Sequence, residues 1–207
     1  MSRPMRRGFS QVTDRSVLEE WLRVASVGRL ATVDENGYPV IKPVNYVYAD
    51  GRVYFHSAPE GEKLDDIRRS DRVGFQVERL LAVTPAPGRG CQAHCFYQCI
   101  IIRGRARILD PVEDAGEKER VLRLLIAKYA PGLEAGPLDN VDRTAVVAVT
   151  IEEMTGKEDL GQRWSPEQKL EVAGLLYPRD GEPAPGVIER MGLTREQLEA
   201  PADASAD

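Results

Sequence analysis

Two short turn signals constrain this chain more than any other feature: Asn36-Gly37 and Asp50-Gly51 separate three β-rich runs with no helical stretch between them. Asn-Gly and Asp-Gly are favoured where both central residues of a two-residue hairpin need positive φ. The runs they join are 27–33, 38–49 and 52–57, rich in β-branched and aromatic residues. Parallel strands need a crossover helix between neighbours, so this part of the chain is antiparallel. Pro39 and Pro43 fall inside the second run. Proline cannot donate to a ladder, which places that strand at a sheet edge or makes it bulged. A bulged strand beside a turn is also where a ligand often lies against backbone.

The remaining elements follow from periodicity. Ser16 and Glu19 form a capping-box pattern ahead of Val17, Leu18, Trp21 and Leu22, predicting a helix over 15–26. Leu64 and Ile67 predict a short helix over 60–69, which Gly61 helps to open. Strands are predicted over 72–82, 95–109 (with a kink at Gly104) and 144–154, and residues 84–93 read as a loop. Val121, Leu124, Leu125 and Ile126 mark a helix over 117–130 that Pro131-Gly132 ends. About six strands in hairpin order with two or three helices describe a mainly β (α+β) fold, an antiparallel barrel with peripheral helices. Residues 1–14 read as a flexible arm and 15–158 as the barrel domain. Residues 159–207 form a C-terminal extension, partly helical near 187–199 or disordered, because Pro, Ala and charge dominate it.

Charge and cysteine content narrow the partners. A net charge of -5 gives no pull toward nucleic acid or an anionic membrane, and no run approaches the roughly 18 apolar residues of a membrane span. Arg6-Arg7 is followed by Asp14, Arg15, Glu19 and Glu20 where an export signal needs apolar residues, so a cytoplasmic protein is expected. Cys91, Cys95 and Cys99 lie four apart, about 13 Å along a strand, beyond the roughly 7 Å that a disulfide allows. Together with His94 they invite a metal proposal. Three cysteines spread over about 26 Å of strand cannot converge on one tetrahedral ion; only Cys91, His94 and Cys95 could, if the Gly-rich loop folds back, so buried or interface thiols are expected ahead of a metal site.

The segment Tyr54-Phe55-His56-Ser57-Ala58-Pro59-Glu60-Gly61-Glu62-Lys63 carries the chemistry. It sets an imidazole and a hydroxyl at a strand end, and a lysine six residues further on at the opening of a helix. Hydroxyl donors, a point cation and backbone N–H groups at a helix start are what a phosphate needs. The plainer reading is a solvated strand-to-helix loop with a surface lysine.

The order of short motifs from residue 28 onward resembles a known family. Gly28-Arg29-Leu30-Ala31-Thr32, Gly37-Tyr38-Pro39, Pro43-Val44-Asn45-Tyr46, Tyr54-Phe55-His56-Ser57-Ala58, Gly61-Glu62-Lys63-Leu64 and Arg72-Val73-Gly74-Phe75 are similar to the nitroimidazole-reductase-like branch of the pyridoxamine-phosphate-oxidase superfamily. Tyr97 to Arg105, Glu117-Lys118 and Thr155-Gly156-Lys157 continue the order. The resemblance implies an FMN-binding split β-barrel that works as a homodimer, with FMN in grooves between subunits. It implies that His56, Ser57 and Lys63 hold the phosphate. Lys42, Pro43, Val44 and Asn45 would lie along the flavin ring, largely through backbone. Cys99 takes the strand position of a small hydroxyl or amide residue facing the flavin, and a thiol is a poorer hydrogen-bond partner there.

The function expected is an FMN-dependent oxidoreductase that passes hydride equivalents from reduced nicotinamide, NAD(P)H, to a small acceptor such as a nitroaromatic. The candidate proton donor is His56. The alternative is a flavin- or haem-binding protein without turnover, used for sensing or storage. A true pyridoxamine-phosphate oxidase is disfavoured, because the tail after Leu160 lacks the arginine-rich closing segment of those enzymes.

Overall fold

The computed structural model describes residues 4–84, 94–134, 136–139, 141–171 and 187–199. Both turn signals close hairpins. The Asp34 carboxylate accepts the backbone N–H of Asn36 at 2.9 Å and of Tyr38 at 2.8 Å, with Gly37 at φ 86°. Asp50 and Gly51 adopt φ 50° and 73°, the paired left-handed conformation of a two-residue hairpin. The first turn joins β2 (Gly28–Val33) to β3 (Pro39–Val44), and the second joins β4 (Tyr46–Ala49) to β5 (Arg52–Ser57).

The run over 38–49 is therefore two strands and not one. β3 ladders with β2 and β4 with β5, and the two lie at opposite ends of the sheet order, so the chain breaks at Asn45 between them. The full order is β3-β2-β6-β7-β8-β5-β4, with β6 at Arg72–Thr84, β7 at His94–Ile108 and β8 at Ala145–Asp159. β3, which carries both prolines, is an edge strand as expected. Three helices accompany the sheet: α1 (Arg15–Val24), α2 (Glu62–Arg69) and α3 (Ala115–Tyr129). The fold is the mainly β, antiparallel split barrel with peripheral helices that the sequence predicts.

Two local readings are corrected, and Gly104 gains a packing reason. The cap of α1 is Asp14, whose carboxylate accepts from the Ser16 amide at 2.8 Å and the Ser16 hydroxyl at 2.7 Å. One acidic side chain at the N-cap takes both donors and sits favourably at the positive helix end. Gly104 marks a close approach: a Cβ there would lie 2.4 Å from the Thr150 carbonyl oxygen. In the segment expected to be an arm, Gly8–Ser10 make a 3-10 turn and Gln11–Val12 form a short strand, β1, against β8.

The chain divides into two compact units, one from residues 12–78 and 99–156, the other from the described residues of 1–11, 79–98 and 157–207. The larger unit buries Leu18, Trp21 and Leu22 of α1 with Leu30, Tyr46, Phe55, Phe75, Ile100 and Val147 of the strands. A fully buried Leu or Phe of this kind contributes about 1.5–3 kcal/mol, so this cluster dominates that unit's stability. The smaller unit has its own cluster of Phe96, Leu160, Ile188, Met191 and Leu193. Among its described helices, Val187–Arg190 and Arg195–Glu199 fall in the stretch expected to be helical. Arg190 Nε lies 3.0 Å from both carboxylate oxygens of the buried Glu158, which also accepts Gln98 Nε2 at 2.8 Å. Among the described residues no helix is long and apolar enough to cross a membrane.

Candidate functional site

Every residue named for the phosphate lies where β5 ends and α2 begins. His56 and Ser57 are the last two residues of β5, in register with Val146 and Ala145 of β8. Ser57 is buried and His56 points to the exposed side. Gly61 precedes α2 at φ 127°, a conformation that suits glycine, and no side chain caps the helix. The first turn of α2 therefore presents backbone donors with Lys63 in its second position.

What holds α2 in place is a buried pair that sequence reasoning missed. Thr32 of β2 donates to Asp66, and Arg69 adds a contact to the same carboxylate at 3.2 Å and one to the Val33 carbonyl at 3.1 Å. A carboxylate 1% exposed is tolerable only with such partners.

Lys42 enters the same place from β3. Its Nζ donates to Glu62, the first residue of α2, at 2.5 Å. The sequence reading placed Lys42 beside the flavin ring through its backbone, whereas its side chain reaches the helix start. The electrostatics show the grouping. Burial, with Lys63 nearby, lowers the basicity of His56; burial, with Lys42 nearby, lowers that of Lys63. His56 and Lys63, whose charged forms are both disfavoured here, make a place that an oxyanion would neutralise.

Pro43, Val44 and Asn45 continue β3 toward the break before β4. Val44 is buried against Gly28, while Pro43 and Asn45 are exposed. Gly28 leaves room there for Phe75, since a Cβ would lie 2.0 Å from its ring. Cys99 stands on β7, two strands from β5 in the sheet order. Pro43 is in register with Arg29, and Arg29 with Gln76. Gln76 Nε2 lies 3.8 Å from Cys99 Sγ and also bonds Glu78. Gln76 thus supplies an amide beside the thiol, a neighbour that no local sequence pattern announces. Cys95 and Cys99 are thiols, and Cys91 lies outside the described residues.

The basic residues at α2 can hold a phosphate group, and Ile41, 64% exposed beside Pro43, offers apolar surface for a ring.

Residues 14–158 match the family model described as pyridoxamine 5'-phosphate oxidase. The chain belongs to that family. No curated protein matches it. Among solved structures, a candidate 5-nitroimidazole antibiotic resistance protein from Bacteroides thetaiotaomicron is 23% identical. That alignment covers 72% of this chain and 86% of that one, with a TM-score of 0.62. The flavocytochrome Anf3 from Azotobacter vinelandii is 19% identical, covering 93% and 96%, with a TM-score of 0.67. An FAD and heme binding protein from Mycobacterium smegmatis is 19% identical, covering 88% and 97%, with a TM-score of 0.64. At these identities the family member shares a fold with each of the three.

Proposed function

We propose that this family member is an FMN-dependent oxidoreductase of the nitroreductase type. The observation that carries this reading is the placing of His56 and Ser57 at the end of β5 beside Lys63 at the uncapped start of α2, where a phosphate monoester would find a cation, a hydroxyl and free amides. The order of motifs shared with nitroimidazole-reductase-like proteins supports the acceptor class, a nitroaromatic, with reduced nicotinamide as donor. A bound flavin would supply the hydride-transfer chemistry between donor and acceptor.

The chain's own residues do the rest. Lys63 holds the phosphate as a point charge, and the Ser57 hydroxyl and the first amides of α2 donate to it. His56, its basicity lowered by burial and by Lys63, accepts or donates a proton beside the site. Glu62 pairs with Lys42 and holds its ammonium at the helix start, from which it donates to the phosphate as well. Gln76 keeps the Cys99 thiol in place on the neighbouring row.

The same reading makes the working form a homodimer in the cytoplasm. Val33 (47% exposed), Tyr38 (70%) and Ile41 (64%) put apolar surface around the β2–β3 hairpin, and a second copy would cover it while completing a groove for the ring.

The test is the visible spectrum of purified protein, followed by titration with FMN and a screen of reduced nicotinamide with nitroaromatics. Saturable flavin binding with nicotinamide oxidation supports the proposal. Bound flavin without oxidation by any acceptor makes the protein a flavin carrier, an intense haem-like band makes it a haem protein, and no flavin binding at all overturns the reading.

A further inference from the structure

The smaller unit contains a cavity of about 320 Å³ to which none of the residues discussed above for the flavin contributes. Its lining comes from the N-terminal segment, the first residue of β7, the last residue of β8 and the stretch that follows it. All of it except His94 lies outside residues 14–158, the part matched by the family model.

Three arginines, Arg6, Arg7 and Arg163, line this cavity together with a single carboxylate, Asp159. That carboxylate is already engaged. Its side chain is 6% exposed, His94 Nε2 lies 3.0 Å from Oδ1, the Gly161 amide donates to Oδ1 at 3.4 Å, and Arg7 stands 4.0 Å from Oδ2. Among the described residues Arg6 and Arg163 form no ion pair, so the lining carries excess positive charge.

The walls are aromatic. Trp164 packs against His94 with centroids 5.2 Å apart and edge-on to Phe96 at 5.3 Å, which fixes the indole. Across the lining, the Arg163 guanidinium lies 5.6 Å over the ring of Phe9, which is 48% exposed. Guanidinium groups recognise planar oxyanions through paired N–H donors and stack on rings. The volume falls at the low end of the roughly 300–1,000 Å³ of small-molecule sites, room for one ring with its acid group and too little for a dinucleotide.

We infer that this cavity is a binding site for a small aromatic carboxylate, separate from the flavin site. The ring lies between Phe9 and Trp164, the carboxylate meets Arg6 and Arg163, and the His94–Asp159 pair holds the indole wall in position.

Calorimetric titration of the full chain with benzoate, with and without saturating FMN, tests this. Saturable binding is expected, with benzamide about tenfold weaker, as loss of one charge-assisted contact implies. Benzoate should also quench Trp164 emission, a signal that Trp164→Phe removes. Arg163→Gln and Arg6→Gln, both at the surface, should each weaken benzoate about tenfold by the same reasoning while leaving FMN affinity unchanged. The inference is overturned if no saturable heat appears, if benzamide binds as well as benzoate, if inorganic phosphate competes equally, if neither arginine variant changes the affinity, or if FMN displaces benzoate.

Discussion

The hydroxyl of Thr32 on β2 donates a 2.7 Å hydrogen bond to Asp66 Oδ2 on α2, across 34 residues of sequence and out of contact with water. Through it, the helix that carries Lys63 is fastened to the strand that pairs with β3. The Thr32→Val variant keeps the shape and removes the donor. Leaving a buried carboxylate oxygen short of a partner costs about 1–3 kcal/mol, so the urea midpoint should fall and FMN affinity should fall with it. An unchanged midpoint would show that α2 is held by other contacts.

Lys63→Ala separates phosphate recognition from ring recognition. Loss of a charged hydrogen bond of about 1.5–3 kcal/mol raises the FMN dissociation constant roughly tenfold to a hundredfold. Riboflavin, which lacks the phosphate, should bind both proteins alike. Fluorescence titration with the two ligands gives the comparison, and equal losses for both would remove Lys63 from the phosphate site.

The acid limb of stability should carry the mark of His56. Burial and then Lys63 hold its folded value below 6.5, so the unfolded chain binds the extra proton first. The His56 contribution to stability is complete above about 6.5 and is lost as pH falls through the folded value. The Tm of flavin-free protein should drop less steeply between about pH 7 and 5 in His56→Gln than in the unsubstituted chain. FMN should flatten the drop as well, because its phosphate favours the imidazolium. Parallel melting curves for the two proteins would count against this placement of the imidazole.

At alkaline pH the group to watch is Lys128. Burial pushes it down to about 8; its ammonium lies 4.0 Å over the Tyr46 ring and donates to the Ala25 carbonyl at 2.7 Å. Between that value and the unfolded one near 10.5 the unfolded chain holds more protons, so stability rises with pH across this window. Lys128→Met should reduce that rise, seen as a smaller Tm gain from pH 8 to 10. An identical gain in both proteins would mean that Lys128 titrates normally.

Gly104→Ala tests a backbone approach. The added methyl would meet the Thr150 carbonyl, which the ladder holds in place. Overpacking of this kind costs about 1–3 kcal/mol, and the urea midpoint should fall accordingly. Gly116→Ala, where a Cβ meets nothing within 4 Å, is the matched control and should not destabilise.

Local chemistry explains which parts could be read from the chain. Gly37, Asp50 and Gly51 declare their turns because few residues tolerate positive φ, and Pro39 and Pro43 declare an edge because they lack an N–H. The donor-rich run from His56 to Lys63 was visible for the same reason. The division of residues 38–49 into β3 and β4 was not, since it depends on which partner each half finds. Nor was Lys42 on Glu62, Gln76 beside Cys99, or His94 on Asp159. These pairs are 20 to 65 residues apart, and no period of 2 or 3.6 records them.

The two prolines of β3 have a consequence for the behaviour of the protein at high concentration. A terminal strand bearing Ile41 and Val40 would ordinarily template aggregation, since its unpaired amides invite another chain to extend the sheet. Pro39 and Pro43 interrupt that row of donors near each end of the strand. Copies of this protein can therefore meet through side chains here, yet this strand is a poor seed for fibril growth.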